Sequence, residues 1–69
     1  MTIKTLLKQL RDDAATEQRL ATAYEDAEKK YVSNNDIDGA VRCGQFAKKH
    51  RDMSVRLYIT IEEIEKRLR

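Results

Sequence analysis

The stretch SVRLYITIEEI, Ser54 to Ile64, decides the fold. Val55, Leu57, Ile59 and Ile61 fall on every second position, the period of a half-buried strand. Leu57, Ile61, Ile64 and Leu68 step by four, three and four, the period of one helix face. Charge spacing separates the two readings. Asp52 with Arg56, Glu62 with Lys66, Glu63 with Arg67 and Glu65 with Arg69 each place an acid four residues before a base, and such partners face each other only on a helix. In a strand the two members of such a pair would stand about 13 Å apart. No turn residue separates KKHRDM from SVRLYITI, and the sequence offers no second strand for this one to pair with. The stretch reads as helix, which leaves Val55 and Ile59, one turn apart, pointing nearly opposite to Leu57.

The same seam extends backwards through Ser54, His50, Ala47 and Cys43 to Ala40, alternating steps of three and four, with Phe46 and Met53 flanking it. The first half carries a matching pattern in Ile3, Leu6, Leu7, Leu10, Ala14, Ala21, Tyr24, Ala27 or Glu28, and Tyr31. It is rich in Ala, Leu, Glu, Lys and Gln, all good helix formers, and Glu25 with Lys29 and Asp26 with Lys30 repeat the acid-before-base spacing. Between the halves lies SNNDIDG, Ser33 to Gly39, in a chain with no proline. Residues of these types bond their side chains to nearby backbone and favour turns and caps. Ser33, with Asp36 three residues on and Val32 and Ile37 as a staple, or Asn35, with Asp38 three residues on, would cap the following helix.

The expected fold is all-α, a single domain over residues 1–69 with a helix over about 3–32, a turn at about 33–36 and a helix over about 37–68. A short break between long helices implies a coiled-coil-like antiparallel hairpin. The expected register, give or take one turn, sets Leu10 against Leu57, Leu6 against Ile61 and Ile3 against Ile64 at the open end. It sets Glu17 against His50 in the middle, Ala21 against Phe46, and Tyr24 against Cys43 and Gly44 nearer the turn. Large apolar side chains crowd the open end. Two helices cannot enclose them, so the hairpin is expected to pair into a four-helix bundle dimer that shares Leu7, Leu10, Leu57, Ile61 and Ile64.

Length and composition narrow the function classes. A 69-residue chain buries little surface, and many chains this short need disulfides, a metal or self-association. Cys43 is the only cysteine, so no disulfide forms within the chain. Cys43 and His50 would lie two helical turns, about 10 Å, apart with no further ligands near them, so neither a metal nor any other cofactor is expected. A nucleophile and its base need about 3 Å, so Cys43, His50 and Glu17, spread along the seam, imply no enzyme. No signal pattern and no apolar run near the ~20 residues of a membrane helix is present, which points to a cytoplasmic protein away from membranes.

Fourteen Lys and Arg against twelve Asp and Glu leave a net charge of +2, too small to imply nucleic-acid binding by itself. The basic residues are concentrated between Arg42 and Arg56, where Lys48, Lys49, Arg51 and Arg56 would serve a nucleic-acid-binding dimer. The leading expectation is a non-catalytic interaction protein, an accessory factor of regulatory or inhibitory kind, that self-associates and holds a protein partner on Val55 and Ile59. Tyr24, Tyr31 and Tyr58 read as core-edge residues with wet hydroxyls. The layout is similar to that of small plasmid-type RNA-regulating hairpins of the Rop family. That likeness is architectural and transfers no residue.

Overall fold

Thr2 starts the first helix by accepting the Thr5 N–H on its side-chain oxygen at 3.1 Å, which satisfies one of the donors a helix start leaves free. In the computed structural model, which describes residues 1–69, α1 runs Ile3–Ser33 and α2 runs Ile37–Arg67. Ser54 to Ile64 is helical throughout. The two helices pack against each other as an antiparallel hairpin of extents 51 × 16 × 13 Å, close to the ~46 Å that 31 helical residues span.

Three residues make the turn. Asn35 sits in the left-handed region at φ 59°, donating its N–H to the Val32 carbonyl, while the Asp36 N–H reaches the Tyr31 carbonyl at 2.8 Å. That pair of bonds is the Schellman closure of a helix C-terminus, and asparagine is among the few residues that tolerate the left-handed conformation. Asp36 then caps α2, its carboxylate accepting the Gly39 N–H at 3.0 Å. The expected cap at Ser33 or Asn35 is therefore corrected. Ser33 is the last residue of α1, where its hydroxyl donates to the Lys29 carbonyl, and Asn35 is occupied in closing α1.

The seam follows the expected positions closely. Leu7, Ala14 and Ala21 on α1, and Ala40, Ala47, Ser54 and Ile61 on α2, are its buried residues, each series spaced by sevens. A seven-residue repeat of buried positions is the signature of coiled-coil packing. Leu10, Glu17 and Tyr24 on α1, with Cys43, His50, Leu57 and Ile64 on α2, fill the half-buried positions of the intervening series, and the half-buried Glu28 continues the first series beyond Ala21. Ala14 and Ala21 are 0% exposed, so small side chains let the backbones approach at mid-length. The hydroxyl of Ser54 exploits that approach by donating to the Ala14 carbonyl at 3.1 Å. No buried side-chain polar atom lacks a partner.

Near the turn the register shifts from the nominal pairing by up to one helical turn, within the expected latitude. Glu17 does meet His50, but the Glu28 carboxylate lies over Gly44, and the Phe46 ring packs on Tyr24 rather than at Ala21. Closing the hairpin in three residues brings the Tyr31 ring against Gly39. At the open end Leu7, not Leu6, is the buried member of its level. Leu68, expected at the end of the seam, is exposed.

Candidate interaction surfaces

The two grooves along the hairpin differ in chemistry. One is closed by charge: Arg11 bonds Glu65 at 2.9 Å and Arg51 bonds Glu25, both pairs crossing between the helices. Glu25 and Glu65 were each expected to serve a base on their own helix, at Lys29 and Arg69. They turn across the groove instead, because both occupy positions beside the seam, within reach of a base on the facing helix. These pairs are half-exposed and contribute at most about 1 kcal/mol each.

The opposite groove is mostly apolar, with Asp13 between Leu6 and Leu20 in its α1 wall. Leu6 and Leu20 on α1 and Phe46 and Met53 on α2 border it, with exposures from 37% to 46%. The Tyr24 and Phe46 ring centroids lie 5.3 Å apart, within the range of favourable aromatic pairs. Near the turn this groove deepens into a cleft lined by Tyr24, Tyr31, Gly39, Arg42, Cys43 and Phe46.

A third surface is the outward face of α2. Val55 and Ile59, left over from the seam in the sequence, are 52% and 51% exposed there. Asp52 and Lys48 stand one and two turns before Val55 on the same face, giving the pair a charged surround. Val41 is likewise exposed nearer the turn.

The residues expected to be shared between copies are divided by the hairpin itself. Leu7 and Ile61 are already buried within one chain, while Leu10, Leu57 and Ile64 are half-buried and keep part of their surface free. The basic residues also divide. Arg51 is tied to Glu25 in the charged groove, Lys48 stands on the outward face, and Lys49 and Arg56 align with Arg42 at seven-residue intervals beside the apolar groove.

His50 and Glu17 are the polar layer of the seam. The imidazole Nδ1 and a Glu17 carboxylate oxygen are hydrogen-bonded, and the His50 ring stacks on Tyr24 at 5.5 Å with 2° between the planes. Sequence spacing placed these two opposite each other without bringing them into contact; both reach inward across a mid-seam where alanines keep the helices close. Cys43, two turns from His50 along α2, lies in the aromatic cleft. No three His, Cys, Asp or Glu side chains converge as a metal site requires. No helix is long and apolar enough to cross a membrane.

In the sequence Phe46 and Met53 read as flanks of the second seam and Leu6 as a member of the first, while Leu20 carried no signal; their convergence on one groove follows from the register. No protein-family model, curated protein or solved structure matches the chain.

Proposed function

We propose that this chain is a non-catalytic interaction protein of the cytoplasm that self-associates into a four-helix bundle and holds a protein partner on the outward face of α2. The observation that carries the partner reading is the pair Val55 and Ile59, half-exposed one turn apart on the face that the hairpin does not use. A small apolar anchor within a charged rim is the usual anatomy of a protein contact. Replacing Ile59 by Asp tests it. The variant should keep its helicity and its oligomeric mass while losing capture of the partner from source-cell extract, since a desolvated anchor has become a charge. Undiminished capture would remove this face from the function, and loss of the oligomer would assign Ile59 to self-association instead.

The alignment of Arg42, Lys49 and Arg56 supports a second reading, a nucleic-acid-binding dimer. Seven helical residues advance about 10 Å, so the three cations form a stripe along one side of α2. With Lys48 and Arg51 divided onto other faces, three phosphate contacts per chain are what this stripe offers. Binding by the dimer, with six contacts in all, would then weaken roughly 1,000-fold or more between 50 and 200 mM salt. Binding insensitive to salt would exclude it.

A further inference from the structure

We propose that the apolar groove bordered by Leu6, Leu20, Phe46 and Met53 is the surface on which a second copy of this chain docks. The inference rests on the self-association proposed above and assigns it a face.

Three observations lead to this groove. The first is the contrast between the two grooves. Arg11–Glu65 and Glu25–Arg51 bridge one of them with their own partners, whereas the other leaves four large apolar side chains 37–46% exposed. The second is position. Leu6 and Leu20 each lie one residue before the level of a buried α1 position, Leu7 and Ala21, and Phe46 and Met53 lie one residue before Ala47 and Ser54. All four therefore stand on the same flank of the seam, and the half-buried Leu10, Tyr24 and Leu57 continue their surface inward. A copy seated here would extend the seam's own repeat into a four-helix core.

The third is area. A compact monomer of 8.1 kDa exposes about 4,500 Å², and this hairpin exposes 5559 Å². The excess, about 1,000 Å², is comparable to the ~800 Å² that each partner buries in a standard specific interface. No large side chain is fully buried in the single chain. A second copy on the groove supplies the burial that the hairpin lacks, and it meets both signs of charge, since Asp13 borders the groove from α1 and Arg42, Lys49 and Arg56 border it from α2.

Sedimentation equilibrium over a roughly hundredfold concentration range, with helicity followed by circular dichroism, tests the assignment. The unmodified chain should approach twice 8.1 kDa. The double variant Phe46→Glu/Met53→Glu should raise the dissociation constant tenfold or more, and Ile59→Asp should leave it unchanged. A single-chain mass for the unmodified protein throughout the range would overturn self-association and this face together. A dimer that survives the double variant would overturn the face alone, as would a dimer lost only in Ile59→Asp. Should the double variant lose helicity, a short bismaleimide cross-linker in a Cys43→Ser background decides instead. Met53→Cys should then cross-link between chains far faster than Ile59→Cys, and equal or reversed rates would overturn the proposal.

Discussion

The Ser54 hydroxyl bonds the Ala14 carbonyl at 3.1 Å across the two helices, a contact that only small residues on both sides allow. Ala14 is 0% exposed and Ser54 is buried, so the site has no room for a larger side chain. Ser54→Ala should cost about 0.5–1.5 kcal/mol, the net value of one hydrogen bond, because the Ala14 carbonyl retains its helical partner. Ser54→Leu should cost about 1–3 kcal/mol by overpacking although it adds apolar surface. Urea unfolding of the two variants checks the order; a Leu variant more stable than the Ala variant would show that the helices separate freely at this level.

The two glycines of α2 should respond oppositely to alanine. At Gly44 a new Cβ would meet only the end of the flexible Glu28 side chain, which can swing into solvent. Gly44→Ala should therefore gain about 0.5–1 kcal/mol from helix propensity. At Gly39 the new Cβ would stand 2.6 Å from the Tyr31 ring, which is held against α2 beside the three-residue turn. Gly39→Ala should lower the melting temperature while Gly44→Ala raises it, and thermal unfolding of the pair measures both.

The helices were legible because their evidence is local. Asp52 with Arg56 and the steps from Leu57 to Leu68 belong to one helix and need no knowledge of the other, and they outweighed the alternation of Val55, Leu57, Ile59 and Ile61. What depends on the facing helix was less legible. Ser33, Asn35 and Asp36 can all bond backbone, and the choice among them is made by Asn35 taking the left-handed conformation that closes α1. Once the turn is three residues long, Tyr31 is carried to Gly39, and Glu28 rather than Tyr24 covers Gly44. Glu25 and Glu65 likewise obey the spacing rule on their own helices yet bond Arg51 and Arg11 across the groove. Val55 and Ile59 could be read as surplus from the sequence alone, whereas the apolar groove emerges only when Leu20 and Phe46, far apart in the chain, fall on one side of the seam.

The Glu17–His50 pair places polar groups in a seam that is otherwise small or apolar, and its side chains are 19% and 20% exposed. Polar seam residues lower stability relative to apolar ones but fix register, because any slip leaves each member without its partner. Here a slip of one turn would take His50 from both Glu17 and the Tyr24 ring on which it stacks. Glu17→Leu should destabilise the hairpin by about 1–3 kcal/mol, since the imidazole loses its partner inside the seam. Adding His50→Leu should recover all of that loss or more, so that the double variant equals or exceeds the unmodified chain in stability. A double-mutant cycle in urea should give a coupling energy of about 0.5–3 kcal/mol. Register is a separate readout: spin labels on Lys8 and Glu62, both exposed, should show one narrow distance distribution in the unmodified chain and a broader one in the double variant. A distribution equally narrow in both would mean that the turn and the Ser54–Ala14 contact alone hold the register, and that Glu17 and His50 contribute only their hydrogen bond.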